Sequence, residues 1–249
     1  MSRERELARH ALALRAEMGR PLRLWWRDDD AVIPTAPLDR LLGIADAAEI
    51  PLTLAVIPQP WNGISTGVAL AERLKNVPRL RVAVHGWSHR NHAPPDAKRQ
   101  ELCPTRPLEE MRAELRGGLS LLREFHGPRV LPLLVPPWNR IADALVPHLA
   151  ADGFSALSTF GPERPVPGLR VVNTHLDVID WRSGPRARDR DSLWRDLRLA
   201  AQSGQPYAGL LTHHLAHDEE NWHFLSEMID LTRDGGVEWT GIEKLAGLD

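Results

Sequence analysis

The chain reads as an α/β protein, a distorted parallel (β/α) barrel of about seven strands. Three observations predict it. Short apolar runs alternate with segments of helical periodicity along almost the whole length. Several of those runs are continuously apolar, as strands buried on both faces are. The polar clusters fall directly after the runs, where a barrel gathers its chemistry.

The elements follow in order. Residues 4–18 place Leu7, Ala11, Leu14 and Met18 on one helical face among Arg and Glu. Residues 22–26 form a short strand that ends at Asp28, Asp29 and Asp30, with Trp25 and Trp26 as core and wall. A helix over 37–48 buries Leu38, Leu41, Leu42 and Ile44, and LTLAVI at 52–57, bounded by prolines, is a buried strand. Helix 67–74 precedes strand 80–84, which ends at HGWSH. Helix 108–125 starts after Pro107, and strand 130–135 ends in PPWN. Helix 141–151 and strand 156–159 come next. Residues 160–189 are loop-rich, with one strand near 169–172. Helix 192–201, strand 209–212, helix 219–232 and strand 237–240 complete the pattern. No linker or repeat divides it, so 1–249 is read as a single domain with an N-terminal helix.

Composition bounds the function. With 43% hydrophobic and 26% charged residues the chain has an ordinary globular profile. A formal net charge of −2 leaves no electrostatic footprint for nucleic acid. No run approaches the roughly 18 apolar residues of a membrane span, and the charged N-terminus lacks the apolar core of a signal peptide. A lone cysteine, Cys103, excludes an intramolecular disulfide. The expected location is the cytoplasm, with no nucleic-acid or membrane partner.

Four predicted strands end in chemically active residues: Asp28–Asp30, His85 with His89 four residues on, Pro136–Asn139, and His213–His214. If the strands are parallel, all four converge on one face. Each cluster alone has a bland reading in helix capping, solvation or packing. Together, a carboxylate and two imidazoles make a three-ligand metal site with open positions, suited to zinc, iron, cobalt or nickel rather than magnesium or calcium.

These motifs, in this order, resemble those of the polysaccharide deacetylase family, the NodB-homology domain of carbohydrate esterase family four. HGWSH matches the family's second motif and implies His85 and His89 as metal ligands, with Gly86 where the family has Ser or Thr. VPPWN at 135–139 resembles the third motif, DVIDW at 177–181 the fourth, and LTH at 211–213 the fifth, which implies a catalytic His213. The family's aspartate pair falls on Asp28–Asp29 or on Asp29–Asp30. The second register is preferred, with Asp29 as base and Asp30 as metal ligand, because small Ala31 then follows the pair. The chain departs from the family at Val135, where an arginine orients the base. Arg27 shares strand parity with Asp29 and is the expected substitute.

The resemblance implies a metal-dependent hydrolase that removes an acetyl or similar acyl group from an N-acylated sugar or related amide. The metal, zinc in first place and cobalt, nickel or iron otherwise, would lower the pKa of its water and polarise the amide carbonyl. Asp29 would take the proton and His213 would give one to the leaving nitrogen. Trp87, Pro137, Trp138, Asn139 and Trp181 are the expected substrate contacts. Asp28, Asp180 and His214 stand as orienting or alternative groups, His214 by exchange with His213. A cytoplasmic protein does not meet a cell-wall polymer, so the expected partner is a small-molecule or oligosaccharide substrate. Two other readings stay open: a non-catalytic carbohydrate-binding member of the same fold, suggested by Val135, and a non-haem iron oxygenase using Asp30, His85 and His89.

Overall fold

A computed structural model describes residues 2–63, 67–182, 184–233 and 236–248. Its centre is a curled sheet of parallel strands. The strands are β1 (Leu22–Ala31), β2 (Leu52–Val56), β3 (Leu80–Val84), β4 (Val130–Leu134), β5 (Ala156–Leu157), β6 (Arg170–Val171) and β7 (Leu176–Asp177), with β10 (Tyr207–Thr212) and β11 (Val237–Trp239) following a small antiparallel pair, β8 (Ile179–Asp180) and β9 (Arg186–Ala187). The order is β6-β5-β4-β3-β2-β1-β10-β7, and β11 pairs with the start of β1. β6 and β7 do not pair, so the sheet is a barrel left open at one seam. A bridge between Phe160 and Thr174 carries the β5–β6 register on beyond the ends of those strands.

The helices are α1 (Arg3–Glu17), α2 (Ala36–Ala47), α3 (Val68–Leu74), α4 (Leu108–His126), α5 (Arg190–Gln202), α6 (Glu219–Arg233) and α7 (Ile242–Ala246). Their starts are written in the sequence. Ser2 Oγ accepts the Arg5 N–H at 3.2 Å, Thr35 Oγ1 the Leu38 N–H at 3.2 Å, and Asp189 Oδ2 the Ser192 N–H at 2.8 Å. Each satisfies a donor that the first helical turn leaves open. No helix among the described residues is long and apolar enough to cross a membrane.

Strand alternation sorts the sheet into two faces. Leu24, Trp26, Leu54, Val82, Val84 and Leu210 join the core under the helices. Trp25, Ala55, Ala83, Leu133, Val135 and Ala156 form a second, inward cluster closed at one end by Ile242 and Ala246 of α7. Trp25 fills this interior because β10 has glycine opposite. A Cβ on Gly209 would lie 2.5 Å from Trp25 Nε1. On the same inward side, further along β1, stand Arg27 and Asp29.

The structure corrects several predicted boundaries. β1 continues through the aspartates to Ala31 instead of ending at Trp26, because Arg27 and Asp28 pair with Leu211 and Thr212 on one side and with Thr53 and Leu54 on the other. Residues 141–151 are not an α-helix. Pro147 has no N–H to give, and the segment makes short i+3 turns with one 3-10 turn at Val146–His148. The strand expected near 169–172 is present as β6, and the described part of 160–189 adds β7, β8 and β9.

Candidate metal centre and active site

The three aspartates of β1 go to three different places. Asp28 is fully buried on the helix-covered face. It accepts bonds from Thr212 Oγ1 at 2.7 Å and from the His214 N–H at 2.9 Å, and it pairs with His214 Nδ1 at 2.5 Å. Burial opposes its ionisation, but His214 and Thr212 outweigh that and hold its pKa below the usual range. Asp28 thus lies on the face opposite Asp29, with a buried hydroxyl, imidazole and peptide as its partners. His214 is thereby committed to Asp28 and cannot exchange with His213.

Asp29 faces inward, 2% exposed, against a fully buried Arg27. Arg27 Nη2–H donates to Asp29 Oδ2 at 3.0 Å. Nε lies 2.9 Å from Oδ1, close as an ion pair although poorly aligned as a hydrogen bond. Arg27 is itself held by Asn139 Oδ1 and Ser158 Oγ, both at 2.7 Å. Arg27 thus contacts Asp29 from within β1, while Val135 is wholly buried in the inward cluster.

Asp30 meets the histidines. Strict alternation would put it beside Asp28, but the pairing of β1 with β2 shifts between Asp28 and Ala31, and Asp30 takes φ +72°. Its Oδ1 lies 3.1 Å from both His85 Nε2 and His89 Nε2. The donor atoms of Asp30, His85 and His89 all lie within 4.8 Å of one another, a group able to hold a metal ion. Four of the six non-glycine residues with positive φ among those described, Asp30, His89, Trp138 and Asn139, belong to this site. Such conformations cost about 1–3 kcal/mol each and cluster where function over-determines the backbone.

The protons decide whether a cation fits. His85 Nδ1–H donates to the Val135 carbonyl at 2.9 Å, so a neutral ring turns its Nε2 lone pair toward the Asp30 carboxylate. Two lone pairs at that distance repel unless a positive charge lies between them. Burial lowers the His85 pKa, but the Asp30 hydrogen bond and the charges of Asp29 and Asp30 raise it overall. Burial likewise opposes ionisation of Asp30, yet the two imidazoles hold its pKa well below the ordinary range. The site favours a cation, and a histidine with its second nitrogen fixed by a carbonyl is the usual preparation for a metal.

His213, at the end of β10, stands across from this group. Its Nε2 is 3.9 Å from Asp29 Oδ2, and Trp181 meets its ring edge-on at 4.8 Å between centroids. His213 Nδ1 is buried with no hydrogen-bond partner among the described residues. The fourth motif contributes Asp177 here, not Asp180. Asp180 is turned to Arg186 at 3.1 Å and to the Arg182 N–H. Asp177 accepts Trp181 Nε1–H at 3.0 Å and the Ile179 N–H at 2.9 Å. Burial raises its pKa against the pull of His213.

The tryptophans divide. Trp138 lies over His89 at 4.3 Å between centroids, and Trp181 is 48% exposed at the rim. Trp87 rests on α4, where a Cβ on Gly117 would lie 3.7 Å from its ring. Pro137 is buried beside Gly86, and Asn139 is tied to Arg27. A cavity of about 830 Å³ opens beside Asn139, lined among others by Arg140, Ile141, Thr159, Phe160 and Asn173. A smaller one, about 370 Å³, lies at the opposite end of the strands near Arg79, Trp239 and Lys244.

The architecture is that of the family 4 polysaccharide and peptidoglycan deacetylases, so the resemblance drawn from the motifs holds at the level of the fold. Among solved structures the chain is similar to a candidate polysaccharide deacetylase from Mycobacterium smegmatis (17% identity, TM-score 0.70, covering 92% of this chain and 90% of that one). It is also similar to a family 4 acetyl xylan esterase from Clostridium thermocellum in complex with a cobalt ion (16% identity, TM-score 0.56, covering 90% and 89%). A third is a mutant, with restored enzymatic activity, of a family 4 pseudoenzyme (18% identity, TM-score 0.61, covering 92% and 68%). No family profile and no curated relative matches the chain by sequence.

Proposed function

We propose that the protein is a metal-dependent deacetylase of the carbohydrate esterase family 4 type, acting on an N-acylated sugar or a related amide. The observation that carries this reading is the convergence of Asp30, His85 and His89 beside an Asp29–His213 pair only 3.9 Å apart. Asp30, His85 and His89 would hold the metal, zinc or the cobalt, nickel or iron that suit the same donors. A divalent ion there supplies polarisation of the amide carbonyl and a lowered pKa for water.

The chain's own residues do the rest. Asp29 Oδ2 takes the proton of the attacking water as the new C–O bond forms. His213 Nε2 gives a proton to the nitrogen as the C–N bond breaks, so that acid and amine leave with atoms balanced. Arg27 keeps Asp29 oriented, and Asn139 and Ser158 keep Arg27 in place. Trp138 and Trp181 flank the histidines and offer faces to a sugar ring, and the cavity beside Asn139 has room for further substrate. Trp87 serves as packing for the 85–89 turn.

The test is acetate release from a panel of N-acetyl sugars and amides by metal-reconstituted protein. His213→Ala is expected to lower turnover about 10²–10⁴-fold with metal content unchanged. Loss of metal in that variant removes His213 from the proton-donor role. Val135 favours a second reading, a binding module without turnover. Arg27 at Asp29 argues against it, and full metal uptake with no acetate released from any compound would restore it.

A further inference from the structure

We propose that Glu101 is a positioning residue of this metal centre, the buried carboxylate that locks the 85–89 turn and so fixes His89 against Asp30. It rests on the metal reading above. Glu101 lies 12 residues beyond His89, in the stretch that leads to α4, and is fully buried. A buried carboxylate is costly unless each lone pair is used. Glu101 uses its own on the turn that carries His89. Oε1 accepts the Ser88 N–H at 2.7 Å, the Ser88 hydroxyl at 3.0 Å and the His89 N–H at 3.1 Å, and Oε2 accepts the Trp87 N–H at 3.2 Å. Three successive peptide donors thus point at one carboxylate.

That geometry needs an unusual backbone. Gly86 has φ +62° and His89 φ +57°, so the turn enters and leaves through left-handed residues. For a histidine this conformation is unfavourable by itself, and the Glu101 bonds oppose its relaxation. Relaxation would rotate the imidazole away from Asp30, because the ring direction follows the backbone at its own Cα.

Glu101 also explains the glycine in HGWSH. A Cβ at Gly86 would lie 2.0 Å from Glu101 Oε2 and 2.7 Å from Pro137 Cγ and Cδ. The polar role at the position after His85, where the resembling family carries a hydroxyl, passes in this chain to a carboxylate from a distant loop. The two residues exclude each other: a side chain at 86 and a carboxylate from 101 cannot occupy the same space. Putting serine at 86, which brings the motif closer to the family's, is therefore expected to damage this site.

The experiment measures zinc affinity by chelator competition, and the visible spectrum of the cobalt-loaded protein, for the wild type, Glu101→Gln and Gly86→Ser. Glu101→Gln keeps the volume but turns an amide N–H₂ toward peptide donors. It is expected to weaken zinc binding roughly 10–100-fold and alter the cobalt spectrum, the usual effect of removing a group that orients a metal ligand. Gly86→Ser should do the same. In a Glu101→Ala background the serine should cost less than it does alone, since its clash with the carboxylate is gone and only that with Pro137 remains. If Glu101 only stabilises the loop, the melting temperature of the metal-free variant falls while zinc affinity and cobalt spectrum match the wild type. That result overturns the proposal. If Glu101→Gln does not fold, Gly86→Ser decides: wild-type affinity there overturns it equally. A wild-type protein that takes up no zinc or cobalt overturns the metal reading itself, a separate failure from equal affinity in wild type and variants.

Discussion

Arg27→Met is expected to destabilise the protein by about 3–5 kcal/mol and to abolish most turnover. The guanidinium and the Asp29 carboxylate are both at most 2% exposed. Removing the cation leaves a buried carboxylate without its charge partner, the situation in which breaking an ion pair costs most. For a chain of this length, about 1 kcal/mol corresponds to roughly 2–4 °C in melting temperature. Asn139 and Ser158 also lose the group they hold. Adding Asp29→Asn removes the stranded charge and should return part of the stability while leaving the enzyme inactive. A double-mutant cycle separates the two effects. Unchanged melting and unchanged turnover in Arg27→Met would dismiss the idea that it stands in for an arginine at position 135.

Asp29→Asn and Asp30→Asn should fail in different ways. Asp30 shares one oxygen between His85 and His89, so its amide is expected to lose metal outright. Asp29 contacts Arg27 and faces His213, so its amide should retain metal and lose about 10²–10⁴ in turnover. Metal analysis beside acetate release distinguishes them. Asp28→Asn, which touches neither group, should leave metal content intact and act through the packing of His214. Full metal occupancy in Asp30→Asn, or metal loss in Asp29→Asn, would reverse the assignment of the pair.

The parts of this site legible in sequence are those where one local rule applies. Apolar runs mark strands because a parallel sheet buries both faces. Polar residues after those runs mark one end of the sheet because parallel strands all finish there. The HxxxH spacing and the parity of Arg27 with Asp29 likewise depend on a few adjacent residues, and the structure brings those groups together. Over 141–151 the missing N–H of Pro147 outweighs the helical periodicity, and short turns replace the expected helix.

Other parts depended on chain far away. Asp180 and Asp177 sit three residues apart in one motif. Only the placement of β7 beside β10 makes Asp177 the neighbour of His213. Glu101 carries no motif at all, and its importance comes from a loop that folds back over Gly86.

The WWRDDDA stretch shows where that boundary falls. Local rules are enough to put carboxylates at the end of the first strand and to turn Asp28 and Asp29 to opposite faces, because pleating alternates side chains. That Asp30 leaves this alternation follows only from distant parts of the chain. A register shift and a left-handed backbone at one residue turn it from the side of Asp28 toward His85 and His89. Aspartate tolerates positive φ better than most residues, but Asp30 stays at φ +72° because both neighbouring strands and the histidines beyond them hold it there.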